Sequence, residues 1–195
     1  IGAGGGSIAF IDDGGLLRVG PRSAGAAPGP ICYQNGGTEV TVTDANLVLG
    51  RLPRGIKLAG GLSLSVDRAY IAIKNLGLRL GLTAEETAEG TIKIANEHMS
   101  KAIRMISVDK GYDPKEFMLA SFGGAGGLHI CEIADAMQIE RAIVPAHGGI
   151  LSAMGMLISK KGRQYTRTIN TIAEISKEAE IKNQLTEMLK TGQVE

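Results

Sequence analysis

The chain has 195 residues and a net charge of +1, from 21 Lys and Arg against 20 Asp and Glu. That balance excludes a protein that grips nucleic acid through bulk positive charge, and 4% aromatic residues with no Trp leave little for base stacking. A hydrophobic share of 44% with no apolar run of about 18 residues fits one globular domain or a compact pair, with no membrane span expected.

From the N-terminus, Ile1-Gly2-Ala3-Gly4-Gly5-Gly6 has no Met and no basic region, so it is not a signal peptide, and the chain is expected to be a piece of something longer. Ile8–Ile11 predicts a short strand, Asp12-Asp13-Gly14-Gly15 a hairpin turn, and Leu16–Val19 the returning strand. Gly20 to Pro30 is too rich in Gly and Pro for regular structure. A short helix is expected over Asp44–Leu52 with Thr43 as its N-cap. Ser65 caps a second helix that Gly81 stops, with Val66, Ala69, Ile73, Leu76 and Leu80 on one face. Thr83 and Glu86 form a capping box for the longest helix. Its apolar stripe is Ala88, Ile92, Ala95, Met99, Ala102 and Ile106, and Gly111 ends it.

The hydrophobic period then changes. Phe117–Phe122 is a continuous apolar run, as in a strand buried on both faces. A glycine bend follows at Gly123-Gly124-Ala125-Gly126-Gly127, then a helix to about Met137, then a strand at Ala142–Val144 closed by Pro145. This order predicts a right-handed βαβ unit with parallel strands. A small-residue helix is expected near Ser152–Gly155, a strand over Gln164–Ile169, and a last amphipathic helix capped at Thr171–Glu174 and carrying Ile175, Leu185, Met188 and Leu189. The fold class is therefore α/β, a parallel βαβ core with several long helices beside it and more helix than strand.

Two glycine segments are candidates for ligand contact. At Gly123, Gly124, Ala125, Gly126 and Gly127 a strand turns into a helix, so the backbone can approach a ligand and the helix N-terminus offers N–H groups and partial positive charge. That suits a phosphate or the ribose end of a nucleotide, although the spacing is neither a Rossmann fingerprint nor a P-loop. Gly4-Gly5-Gly6-Ser7 is a second anion nest, with the Ser7 hydroxyl as a further donor. For each, a plain turn without ligand is the alternative.

Among titratable residues, His129 opens the helix after the glycine bend and can reach a ligand there or bond to backbone, while His98 sits on a helix surface and His147 just past a strand end. Asp44 is either a helix N1 carboxylate favoured by the dipole or a general base or magnesium ligand. Cys32 and Cys131 are far apart, with no CxxC and no neighbouring base, which suits buried small side chains in a reducing compartment. No histidine pair has metal-ligand spacing.

Taken in order, Gly2–Ala9, Val19–Tyr33, Gly36-Gly37, Thr41–Leu52, Phe122–His129 and Pro145–Met156 resemble the signature of the hydantoinase A/5-oxoprolinase family. The resemblance implies the second half of a ribonuclease-H-like, actin-like ATPase core over residues 1–160, with 161–195 opening a following segment. It implies an ATP-dependent hydrolase that opens the ring of a hydantoin or 5-oxoproline type cyclic amide, ATP activating the carbonyl by phosphorylation. By that likeness Gly123, Gly124, Gly126 and Gly127 match the adenosine-binding motif, and Asp44 and His129 are catalytic candidates. A hydantoinase B-type partner and a cytoplasmic location are implied as well.

Two departures bear on these expectations. Gly127 stands where the hydantoinase form carries Pro, and with His129 and Cys131 looks closer to the oxoprolinase form, whereas Val144-Pro145 looks closer to the hydantoinase form. No Asp-Gly-Gly-Thr turn occurs, so the magnesium ligands and terminal-phosphate groups are expected outside this chain, which alone would not turn over ATP. The alternatives are the ATPase subunit of an acetone or aryl-ketone carboxylase, or a non-catalytic nucleotide-binding or scaffold domain.

Overall fold

The computed structural model describes residues 2–55, 57–160, 162, 165, 166, 168, 174 and 177–194. They fall into two compact units, Ile1–Ala153 and Met154–Glu195.

The first unit opens with an antiparallel hairpin of β1 (Ser7–Ile11) and β2 (Leu17–Ser23), in register Ala9 with Val19 and Ile11 with Leu17. The carboxylate of Asp12 closes its turn, accepting from the amides of Gly14 and Leu16 at 3.0 Å each, and Arg18 Nε donates to it at 2.6 Å. β2 runs on through Gly20-Pro21 to Ser23, into the stretch expected to be irregular, because its pairing continues as far as Ser7 with Ser23. A minor hairpin, β3 (Lys57–Leu58) and β4 (Leu62–Ser63), sits between the first two helices.

Helix α1 (Val42–Val48) starts earlier than the residue pattern implied. Thr41, not Thr43, is the N-cap, and Asp44 is its capping-box partner rather than the first helical residue. Helices α2 (Val66–Leu78) and α3 (Ala84–Ile106) begin at the expected caps, Ser65 and Thr83. Glu86 accepts from the Thr83 amide at 2.8 Å, satisfying one orphan donor of the helix start. α3 stops at Ile106, and a single 3-10 turn follows before Gly111.

The three helices pack on one another, and with the hairpin they enclose one core. Ala9, Val19, Val42, Ala45, Ile73, Ala88, Ile92 and Ala95 form this core. Each large aliphatic member contributes about 1.5–3 kcal/mol of burial. The far end of the α3 stripe lacks a cover, and Ile106 is exposed. A smaller cluster of Ile133, Ala134, Met137 and Ile139 packs against Met99 and Ile103.

The βαβ unit is present as β5 (Leu119–Ala120), α4 (Ile130–Met137) and β6 (Ala142–Ile143), with Leu119 parallel to Ala142 and Ala120 to Ile143. The expectation of a strand buried on both faces over Phe117–Phe122 does not hold. Only two of its residues are in a strand, and Phe117, Met118 and Phe122 are 52%, 51% and 60% exposed. The reason is that β5 and β6 form a two-stranded sheet among the described residues, with no third strand to extend it.

Helix α5 (Leu151–Ile158) leads into the second unit, where Met156, Leu157 and Ile158 are exposed. Helix α6 (Glu178–Val194) carries the expected Leu185 and Leu189, both exposed. Most of the strand expected over Gln164–Ile169, and the cap at Thr171 with Ile175 beyond it, lie outside the described residues.

Candidate functional site

The two glycine segments meet. A cavity of about 480 Å³ has Gly5, Gly6 and Thr43 on one wall and Gly124, Ala125 and Leu128 on an adjoining one, a Cβ at Gly5 lying 3.9 Å from that of Ala125. Its volume falls within the range of small-molecule sites. Tyr33, Leu52 and Leu58 give it an apolar and aromatic floor suited to a flat heterocycle. Burial raises the Tyr33 phenol above its ordinary range, so it stays a neutral hydrogen-bond group.

The first wall is held from the α1 side. Thr43 donates to the Gly5 carbonyl from its amide and from its hydroxyl, each at 2.9 Å. Ser7 is turned inward: its hydroxyl accepts from the Gly4 amide at 2.8 Å and donates to the Gly2 carbonyl at 3.1 Å. It braces the loop instead of supplying the free donor expected from its sequence position. Gly5 and Gly6 line the cavity; Gly4 and Ser7 do not.

The second wall divides by the same test. Gly123 adopts φ 99°, a backbone state that L side chains rarely reach, and its amide donates to the Gly148 carbonyl at 2.8 Å. A Cβ added at Gly124, which lines the cavity, would meet nothing within 4 Å. A Cβ at Gly126 would instead collide with the Ser121 hydroxyl, and one at Gly127 would touch Val144 at 3.6 Å. Gly124 and Ala125 line the cavity, and Gly126 and Gly127 do not. The amides of Gly124 and Ala125 have no backbone partner among the described residues. Two such donors fit the oxygen-rich end of a nucleotide.

Asp44 is fully buried. Its Oδ1 accepts from the Cys32 amide at 2.8 Å, and its Oδ2 from the Thr41 amide at 2.9 Å, the Thr41 hydroxyl at 2.8 Å and the Ile31 amide at 3.3 Å. Those donors tie the loop before α1 to the helix start. The carboxylate also shapes its neighbour: burial first, then the Asp44 charge, pushes the Cys32 thiol far up. Cys131 is exposed on α4.

His129 is likewise turned inward, 2% exposed, and does not line the cavity. Its Nδ1 lies 2.7 Å from Asn96 Oδ1 and its Nε2 3.5 Å from Asn46 Nδ2. Burial, and then the Arg51 charge, lower its pKa, while Glu132 opposes them. The imidazole is thus held neutral. No hydrogen bond joins Asp44 to His129, so the two are not assembled as a catalytic pair. Asn46, Arg51, Asn96 and Glu132 had not stood out in the sequence. The available signal was an Asn within a helix at a buried position, four residues after Ile92 in the apolar stripe.

Among the described residues no three His, Cys, Asp or Glu side chains come together as metal ligands.

The sequence matches the hydantoinase/oxoprolinase family over residues 1–165. It is 46% identical over 160 residues to the caprolactamase alpha subunit of Pseudomonas jessenii, covering 82% of this chain and 23% of that protein. The crystal structure of ATP-dependent caprolactamase from the same organism superimposes with a TM-score of 0.78 at 40% identity, over 98% of this chain and 29% of the other. The 5-oxoprolinase PfmaA of Pestalotiopsis fici is 44% identical over 176 residues, 85% of this chain and 13% of that protein. Nucleotide-free acetone carboxylase, an enzyme of ATP-dependent acetone carboxylation, aligns with a TM-score of 0.73 at 34% identity over 80% of this chain and 22% of its own. The chain thus spans less than a third of the length of each of these relatives. The match over residues 1–165 shows that the chain belongs to the hydantoinase/oxoprolinase family.

Proposed function

We propose that this chain is the nucleotide-seating part of an ATP-dependent amidohydrolase that opens cyclic amides of the hydantoin or 5-oxoproline type. The observation that carries the reading is the convergence of Gly5-Gly6 and Gly124-Ala125 on one cavity of about 480 Å³. We read residues 1–160 as the second half of an actin-like core and 161–195 as the start of a following segment.

ATP supplies phosphorylation of the amide carbonyl oxygen, which makes the ring carbon open to attack by water. This chain's own contribution is binding and orientation. The unpartnered amides of Gly124 and Ala125 donate to ribose or phosphate oxygens, and Tyr33, Leu52 and Leu58 pack the base and exclude water from it. Asp44 keeps the α1 end of the cavity in place through four donors. Magnesium and the groups that hold the terminal phosphates belong to parts of the protein outside this chain.

The caprolactamase relative is an alpha subunit, which supports a partner of the hydantoinase B type. Two unpaired cysteines suit a reducing, cytoplasmic compartment, and among the described residues no helix is long and apolar enough to cross a membrane. The likeness to acetone carboxylase supports a second reading, a ketone-carboxylase ATPase part, and the third is a scaffold without catalysis. Product analysis of the complete protein with ATP and each substrate class decides among them. Ring-opened amino acid upholds the amidohydrolase, a new carboxylate overturns it in favour of the carboxylase, and no nucleotide binding leaves the scaffold.

A further inference from the structure

A closed ring of side chains lies behind the second cavity wall. His129 Nδ1 donates to Asn96 Oδ1 at 2.7 Å, the Asn96 amide donates to Glu132, and Glu132 accepts from Arg51. Arg51 then donates from Nη1 to the Leu128 carbonyl at 3.3 Å, next to His129 in the chain. Only one imidazole tautomer fits, because Asn96 turns its oxygen to Nδ1 while its nitrogen serves the Glu132 carboxylate. The Nε2 lone pair is left to accept from Asn46 Nδ2.

Asn46 is fixed in the same sense. Its Nδ2 donates to the Val42 carbonyl at 3.1 Å while pointing at His129, and its buried Oδ1 has no partner. An orphaned buried oxygen is costly, and here it accompanies an amide held toward His129. Arg51 is also joined to Asn46 through its backbone, its amide donating to the Asn46 carbonyl at 2.9 Å. Asn46 and Arg51 belong to the α1 side, which carries Thr43 and Leu52 on the cavity. His129 and Leu128 belong to the glycine-bend side, which carries Gly124 and Ala125.

We propose that Asn46, Arg51, Asn96, His129 and Glu132 form a clamp that sets the spacing between the two cavity walls, with His129 a positioning residue and not a proton-transfer group. The functional consequence rests on the cavity being the nucleotide seat proposed above.

The clamp is tested on the 195-residue chain with Arg51→Met, Arg51→Lys and His129→Asn. Arg51 and Glu132 side chains are 27% and 47% exposed, so Arg51→Met keeps the packed stem and leaves the core intact. Asn at position 129 keeps the donor to Asn96 and loses the acceptor for Asn46. ADP affinity is read by calorimetry, amide hydrogen exchange by mass spectrometry over 123–129, and melting by circular dichroism. Arg51→Met is expected to speed exchange across 123–129, leave α2 protected, and weaken ADP binding roughly tenfold with little change in melting. Arg51→Lys keeps the contact to Glu132 but loses the Leu128 carbonyl, so it falls between. Unchanged exchange over 123–129 with ADP affinity within twofold of the parent overturns the clamp. If the parent chain binds no ADP, the nucleotide reading fails, and the exchange data alone decide the clamp: faster exchange upholds it, unchanged exchange overturns it. If His129→Asn does not fold, the two Arg51 variants carry the decision.

Discussion

Gly124 separates a binding role from a structural one within a single motif. Its ideal Cβ meets nothing within 4 Å, and it lies outside the left-handed backbone region occupied by Gly123 at φ 99°. Gly124→Val therefore adds three carbons at the lining of a cavity of about 480 Å³, and the first of them meets no protein atom within 4 Å. A ligand seated against that wall must move or be overpacked, at a cost of about 1–3 kcal/mol. That corresponds to a Kd for ADP or ATP weaker by about fivefold to about 150-fold. The melting temperature is expected to stay within a few degrees of the parent. Gly126→Ala is the counterpart: Gly126 does not line the cavity, and its Cβ meets the Ser121 hydroxyl, which must rotate away, so it leaves ADP affinity unchanged and costs about 1 kcal/mol or less in stability. Calorimetric titration with ADP and thermal melts of the two variants give the readout. Equal ADP affinity for the parent and for Gly124→Val refutes the placement of the nucleotide against this wall.

Three further outcomes follow from the buried polar groups. Asp44→Ala leaves the Cys32 amide and the Thr41 amide and hydroxyl without their acceptor, and should cost about 3 kcal/mol or more in denaturant unfolding. Equal stability would show that the carboxylate is not the anchor of the loop before α1. His129, facing Arg51 and Glu132, has a lowered pKa in the folded chain, so its neutral form stabilises the fold fully above the ordinary value of 6.5. As pH falls below 6.5 the unfolded chain takes up the proton first, and stability should drop by up to about 1.4 kcal/mol per pH unit until His129 itself protonates. His129→Gln, which cannot titrate, should remove that part of the slope; an unchanged slope contradicts a buried neutral imidazole. Iodoacetamide should label Cys131 in the native chain and Cys32 only after unfolding, as peptide mapping can check, since Cys32 is buried with its thiol pushed up.

The caps and periods of the sequence carried much of the first unit. Ser65 and the Thr83–Glu86 box start their helices because short polar side chains satisfy local donors, an interaction legible over four residues. The Asp12 turn and the βαβ order were legible for the same reason. The start of α1 was missed because Thr41 and Thr43 are chemically equal N-cap candidates, and the choice depends on the distant Ile31 and Cys32 amides that Asp44 also collects. Phe117–Phe122 failed in the other direction, since its composition reports a sheet wider than the two strands present. At the site, glycine runs marked both walls, yet which glycines line the cavity is set by Ser121 and Val144, neighbours that only the folded βαβ unit brings close. The inward turn of His129 was hidden because its partners, Asn46 and Asn96, lie 83 and 33 residues away.

Amide chemical shifts of the nitrogen-15-labelled chain, followed while ADP is added, probe the nucleotide seat at residue resolution. The largest shifts are expected at Gly5, Gly6, Gly124 and Ala125, which line one cavity. Silence at those four amides at millimolar ADP, or shifts gathered on another face, would contradict a nucleotide held between the two glycine segments.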